Sequence, residues 1–267
     1  MIVAHRGASE DAPEHSLEAY VRAIAAGADG LECDVRLTRD GHLVCVHDRR
    51  VDRTSDGSGV VSELDLAGLE AMDFGSWRDD AYLAGVAPDR EDSGGRVLRL
   101  ATLLELVREA ERPVRLLIET KHPTRYGGLV EKELVRSLAR FGWAGEPGPD
   151  RRRVADESSR VTIMSFAATA LRRVRLLAPD LPTVLLIDRW LPGRREAILP
   201  AGVGTAGPGV HLLRADPAFV ARAHARGKKV YVWTVDDPAD LALVRSLGVD
   251  AVITNRPATT VAAVQTG

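Results

Sequence analysis

The chain has 267 residues, 45% of them hydrophobic, with 36 basic and 38 acidic side chains and a net charge of −2. That apolar fraction supports a sizeable core, and a near-neutral charge with scattered arginines argues against a nucleic-acid partner or an acidic-surface binder. No apolar run reaches the length of a membrane span, no basic-plus-apolar leader is present, and two cysteines, Cys33 and Cys45, make no disulfide framework. The expectation is a cytoplasmic protein, monomer or homodimer, without stable membrane insertion.

In chain order, a strand over Ile2–Ala4 runs straight into His5-Arg6-Gly7, and a polar loop leads to Pro13-Glu14-His15-Ser16. A helix is predicted from about Ser16 to Ala26, with Leu17, Val21 and Ile24 at helical spacing and Gly27 as its stop. The next strand, Leu31–Leu37, alternates: Leu31, Cys33, Val35 and Leu37 share one face, and Glu32, Asp34 and Arg36 the other. Asp40-Gly41 then signals a hairpin. With those two as the loop residues, Asp34 opposes His47 and Val35 opposes Val46. Cys45 then joins the carboxylate face while Cys33 points away, so the two cysteines do not pair.

Residues 48–97 are polar and rich in Gly and Asp, as an inserted lid or small subdomain would be. Helix-type segments follow at Leu103–Ala110, Leu129–Arg140, Ala168–Leu177, Pro217–Arg226 and Pro238–Leu247. Strands are predicted at Val114–Glu119, Val161–Met164, Thr183–Ile187, Gly209–Leu212, Lys229–Thr234 and Ala251–Thr254. Gly227 and Gly248 stand where helix-terminating glycines belong. Residues 144–160, with Arg151-Arg152-Arg153, read as a mobile surface loop. Strand–helix alternation in this length predicts a (β/α)8 TIM barrel as a single catalytic domain over 1–267, with a β-hairpin and a small insertion after strand 2. A doubly wound open sheet is the competitor, but no G-x-G-x-x-G follows the first strand.

Charged residues on an inward strand face are costly unless paired or bound to a metal. Glu119-Thr120-Lys121 taken alone reads as a surface ion pair. Beside Glu32 and Asp34, Glu119 makes a third carboxylate at a strand's C-terminal end. Three carboxylates without a Cys/His ligand set favour one hard divalent cation, Mg2+ or Ca2+, over zinc. His5-Arg6, Trp233-Thr234 and Thr254-Asn255 also fall at strand ends, on the rim where barrel active sites lie.

In these residues the chain resembles the glycerophosphodiester phosphodiesterases. The matching pieces are Ala4-His5-Arg6-Gly7, Pro13-Glu14, Glu32-Cys33-Asp34-Val35, His47-Asp48, Glu119-Thr120-Lys121, Ser165-Phe166, Trp233-Thr234-Val235 and Gly248 through Thr254. The resemblance implies a barrel that hydrolyses glycerophosphodiesters to sn-glycerol 3-phosphate and an alcohol. It implies His5 and His47 as the catalytic pair, Glu32, Asp34 and Glu119 as metal ligands, Arg6 and Lys121 on the phosphate, and Trp233 on the glycerol side. The insertion that such proteins carry after the His-Asp motif fits residues 48–97. Either water or the 2-hydroxyl of the glycerol serves as nucleophile, and either histidine as the acid. The chain departs from the family pattern at His15 (usually asparagine), Asn255 (usually aspartate) and Leu98-Arg99-Leu100 (usually Pro-Thr-Leu). His42, His122, His211 and His224 read as surface or packing residues.

Two other functions are compatible with these residues. A lysophospholipase D-type enzyme would need an apolar groove in 48–97, from Phe74, Trp77 and Tyr82-Leu83. A non-catalytic phosphodiester-binding barrel would keep the pocket without turnover.

Overall fold

A computed structural model describes residues 1–78, 95–145, 156 and 158–265. Nine strands are described: β1 (Ile2–His5), β2 (Gly30–Leu37), β3 (Leu43–Cys45), β4 (Arg115–Thr120), β5 (Val161–Ser165), β6 (Thr183–Ile187), β7 (Thr205–Pro208), β8 (Lys229–Val232) and β9 (Ala251–Thr254). All but β3 are parallel, ordered β1-β9-β8-β7-β6-β5-β4-β2, and a β1–β2 pairing closes them into an eight-stranded barrel. The helices are α1 (Leu17–Ala25), α2 (Leu66–Glu70), α3 (Leu100–Glu109), α4 (Leu129–Arg140), α5 (Ala168–Leu177), α6 (Val210–Ala215), α7 (Phe219–Ala225), α8 (Pro238–Leu247) and α9 (Pro257–Gln265). Strand–helix alternation thus produces the predicted barrel.

The inside of the barrel is plugged by Val3, Leu117, Met164, Val184, Leu186, Tyr231, Ala251 and Ile253. Strand alternation carries the inward faces up from this plug to a polar layer. Glu32 lies beside Leu117, and Asp34 beside Glu119, in the β2–β4 ladder. The opposite faces of the strands pack under the helices in two larger clusters, one of which holds Leu31, Cys33 and Val35 with Leu103, Leu104 and Leu134. Local signals end the helices as expected. Ser16 caps α1, accepting from the Ala19 N–H at 3.1 Å, and Gly248 closes α8 at φ +70°.

Two expectations are corrected. The sixth barrel strand is Thr205–Pro208, not Gly209–Leu212, whose residues from Val210 onward open helix α6. Thr205-Ala206-Gly207-Pro208 has one β-branched residue and no apolar run, so its propensity signal is weak. Its strand state comes from the ladder to Val184–Ile187. The β2–β3 hairpin is one residue out of the expected register: Val35 pairs with Cys45, and Leu37 with Leu43. The loop has three residues, Arg39-Asp40-Gly41, with Gly41 at φ +88° and Thr38 N–H bonded to His42 O at 2.9 Å. A turn closed by a left-handed glycine fits this loop length. The shift places Cys45 on the same face as Cys33, both buried as free thiols in one core cluster, rather than on opposite faces.

Within 48–97, the described residues form a small packed unit. Val51, Val61, Leu66, Leu69, Phe74 and Val97 bury against Val44 and Val46. The segment 79–94, with Tyr82 and Leu83, lies outside the described residues, as do 146–155 and 157 of the expected 144–160 loop.

Candidate active site

The C-terminal ends of β1, β2, β4 and β8 meet in a cavity of about 120 Å³ that His5, Arg6, Glu32, His47, Glu119, Lys121 and Trp233 help to line. Asp34 sits just beneath, 1% exposed. Glu32, Asp34 and Glu119 each present one carboxylate oxygen, all within 4.8 Å of one another. The structure thus gathers the residues that the resemblance singles out.

The electrostatics of the cluster follow from its crowding. Burial raises the Glu32 carboxyl well above its ordinary value, and the Asp34 charge adds to the effect. Burial and Asp34 likewise push Glu119 up to about 8. Asp34 is the exception. Burial works to raise it as well, but Lys121, His15 and Arg6 outweigh burial and hold it well below the carboxylate range. Lys121 Nζ lies 2.9 Å from both Asp34 and Glu119, and Arg6 Nε lies 3.1 Å from Asp34. Three crowded, buried oxygen donors, two of them with carboxyls raised by burial and by the Asp34 charge, form a set that fits a hard divalent cation.

Each histidine is held by its Nδ1. His5 Nδ1 donates to Asn255 Oδ1 at 2.7 Å, because Asn255 Nδ2 donates to Asp236 Oδ2 at 2.6 Å and so turns the amide oxygen toward His5. His5 Nε2 is left 4.0 Å from Glu32. Burial, reinforced by Arg6, lowers His5 to about 4. His47 Nδ1 donates to Asp48 Oδ1 at 2.7 Å. Burial also lowers His47, with Lys121 and Arg6 acting in the same direction against Asp34. His47 does not reach the site by opposing Asp34. It stands two residues beyond Cys45, its carbonyl held by Arg36 Nε and Nη2 at 3.1 and 2.7 Å.

Several residues of the site escape a residue-by-residue reading. His15 is 4% exposed, with Nε2 3.0 Å from Asp34 Oδ2 and Nδ1 2.8 Å from the Tyr20 hydroxyl, which itself donates to Glu32 O at 3.1 Å. The departure from asparagine thus supports two of the carboxylate positions from below. Arg53 links the inserted segment to the site: its Nε donates to Asp48 at 2.5 Å and its Nη atoms to Glu14 at 2.9 and 2.8 Å. Burial would raise Glu14, but Arg53 and Arg6 hold it down to about 2. Pro13-Glu14 and His47-Asp48 were visible as motif pieces, whereas nothing in the sequence marked Arg53 as their common partner. Arg6 and His15 take left-handed φ values of 57° and 60°. Gly7 follows at φ +86°, where an added Cβ would sit 2.6 Å from that of Ala19. The AHRG turn therefore needs glycine both for its φ and for the approach of α1.

The remaining wall is apolar. Phe166 meets Trp233 edge-on at 5.4 Å, and Trp233 Nε1 donates to Gly207 O at 2.6 Å. The groove that a lysophospholipid would need has no support from the described residues of the insertion. Phe74 is buried in its small core, and the Trp77 ring has the guanidinium groups of Arg53 and Arg78 each 6.0 Å from its centroid. His122, His211 and His224 bond to Glu131, the Asp188 carbonyl and Asp250, away from this cavity.

Comparison with known proteins agrees with this geometry. Residues 5–259 match the Glycerophosphoryl diester phosphodiesterase family. The chain is 46% identical to a probable glycerophosphodiester phosphodiesterase 1 of Mycobacterium tuberculosis (strain ATCC 25618 / H37Rv) over all of this chain and 93% of that one. It is 34% identical to a glycerophosphodiester phosphodiesterase of Bacillus subtilis, over 96% of this chain and 84% of that one. Among solved structures, a putative glycerophosphoryl diester phosphodiesterase from Silicibacter pomeroyi superposes with a TM-score of 0.78 at 26% identity, covering 97% and 91% of the two chains. An Oleispira antarctica phosphodiesterase, solved with its product sn-glycerol-3-phosphate, shares the fold with a TM-score of 0.81 at 22% identity, covering 99% and 96%. No helix among the described residues is long and apolar enough to cross a membrane. With its barrel, its rim of carboxylates and bases and these relatives, the chain belongs to the glycerophosphodiester phosphodiesterase family of phosphoric diester hydrolases.

Proposed function

We propose that the protein hydrolyses glycerophosphodiesters, such as glycerophosphocholine or glycerophosphoethanolamine, to sn-glycerol 3-phosphate and an alcohol. The observation that carries this reading is one cavity lined by two Nδ1-anchored histidines, Arg6 and Lys121, with three carboxylates clustered in and beneath it. A divalent cation, Mg2+ or Ca2+, held by Glu32, Asp34 and Glu119 would supply Lewis-acid polarisation of a phosphoryl oxygen. Arg6 and Lys121 bind the remaining phosphoryl oxygens, arginine through a planar fork and lysine as a point charge. His5 and His47 divide the proton work, one taking a proton from the nucleophile and the other giving one to the leaving alkoxide. Both are neutral at pH 7, which suits the base. The acid gains its proton once the diester's negative charge lies beside it. Trp233 and Phe166 pack against the glycerol arm.

The test is release of sn-glycerol 3-phosphate from glycerophosphocholine by the purified chain with Mg2+ or Ca2+. Activity should vanish on chelation and return with the metal. His5→Ala and His47→Ala should keep the wild-type melting temperature within a few degrees and lose at least about 100-fold in kcat. Choline release from lysophosphatidylcholine in place of this activity, or turnover that survives exhaustive chelation, would overturn the reading.

A further inference from the structure

Among the described residues, two of the openings that share residues with the central cavity differ in charge. A notch of about 290 Å³ beside Asn255 is bordered by Glu10, Glu14 and Asp236 with Arg6 and Arg256. Each of these acids is already engaged: Glu10 with Arg256 at 2.6 Å, Glu14 with Arg6 at 3.1 Å, and Asp236 with Asn255. On the other side, a groove of about 630 Å³ runs between the β2–β3 hairpin, the turn at Val61–Glu63 and the loop after β4. It shares Lys121 with the central cavity.

The charged side chains lining this groove are Arg36, Arg49, Lys121 and Arg125, against Glu63 alone. Its histidine, His122, is tied to Glu131 at 2.6 Å. Arg36 uses Nε and Nη2 on the His47 carbonyl, so its Nη1 has no hydrogen-bond partner among the described residues. The Arg49 guanidinium is exposed and has no ion-pair partner among them either. Arg125 stands 3.6 Å from Glu63 and over the Tyr126 ring at 6.0 Å, and the Tyr126 hydroxyl donates to Ser62 O at 2.7 Å, bracing the far wall.

A phosphodiester has two ester arms. The cavity of about 120 Å³, walled by Phe166 and Trp233, suits the compact glycerol arm, and the other arm must leave through an opening. We infer that the groove beside Lys121 receives the alcohol arm and selects alcohols that carry a further anionic group. This rests on the hydrolysis proposed above. The lining sets Arg36, Arg49 and Arg125 against Glu63 alone, and a net positive lining attracts an anion and repels a quaternary ammonium group. Among the described residues that line it, the one aromatic ring, Tyr126, already has Arg125 over it at 6.0 Å, a position that disfavours a second cation.

Three diesters that share the glycerol 3-phosphate arm test the inference: glycerophosphocholine, glycerophosphoglycerol and bis(glycerophospho)glycerol. Their leaving alcohols carry one positive charge, none and one negative charge. Release of sn-glycerol 3-phosphate should rise in that order, with kcat/KM spanning about tenfold or more per scissile bond, and the span should shrink as salt is raised. The double variant Arg49→Glu/Arg125→Glu should lose about tenfold on bis(glycerophospho)glycerol and gain severalfold on glycerophosphocholine. Glycerophosphocholine turned over as fast as or faster than the anionic diester, or a double variant that slows all three equally, overturns the groove assignment and leaves the hydrolysis standing. If none of the three is cleaved in the presence of Mg2+ or Ca2+, the hydrolysis itself fails, and the groove assignment fails with it.

Discussion

Asn255 acts on the proposed chemistry through one hydrogen bond. Its amide is turned by Asp236 so that only an oxygen faces His5, and the imidazole therefore carries its proton on Nδ1 and keeps the Nε2 lone pair toward the carboxylate cluster. Asn255→Ala should leave the fold intact and lower kcat by about 10- to 100-fold, the range expected when an orienting partner of a working group is lost. Asn255→Asp tests the electrostatic half of the argument. A carboxylate there would face Asp236 and would stabilise protonated His5, so the His5 pKa, followed by NMR, should rise from about 4 and carry the acidic limb of the kcat/KM profile upward with it. An unmoved pKa in that variant would mean that the amide has no influence on the imidazole.

At the scale of elements, the insertion is tied to the rim of the candidate site by two arginines. Arg53 bridges Asp48 and Glu14, so the partner of His47 and the partner of Arg6 are held by one guanidinium. Arg78 donates to the carbonyls of Ser9, Glu10 and Ala12, pinning the loop between His5 and His15. Arg53→Ala should reduce kcat about three- to tenfold with little change in melting temperature, and Arg53→Lys should recover part of the loss. Steady-state kinetics beside thermal unfolding separates the two effects. Elements were legible in the sequence where their pattern was local. The alternation of Leu31–Leu37 and the spacing of Leu129–Arg140 led directly to β2 and α4. The hairpin register was not legible, because Asp-Gly suits a two-residue loop as well as the observed three-residue one. The strand Thr205–Pro208 was hidden because its state is set by a neighbouring ladder rather than by its own residues. The first-rank polar residues could be read from strand alternation and resemblance. Their supports, Asn255, Arg53 and Tyr20, come from segments far apart in sequence and meet only when the barrel closes.

For the whole molecule, the polar layer above the barrel plug makes stability depend on pH in opposing ways. Glu119 has a folded pKa of about 8 against an ordinary 4.5, so without a cation the folded protein holds an extra proton between those values. Stability from this group is therefore lost as pH rises toward 8. His5 works in the other direction. Its folded value of about 4 lies below the ordinary 6.5, so the unfolded chain binds more protons between pH 4 and 6.5, and stability is lost as pH falls through that window. From these two groups, the chelated protein should hold a stability plateau between about pH 4.5 and 6.5, where the two slopes cancel, and lose stability above it. A divalent cation at the carboxylates displaces the Glu119 proton, so its stabilising effect should grow from pH 6 to pH 8. Thermal unfolding from pH 5 to 9, with EDTA or with excess Mg2+ or Ca2+, gives the curve. Glu119→Gln, which cannot ionise, should flatten the rise in the chelated protein's sensitivity above pH 6 and weaken the cation's effect. A cation-induced shift that is constant across pH, or unchanged in Glu119→Gln, would place the ion away from the Glu32, Asp34 and Glu119 cluster.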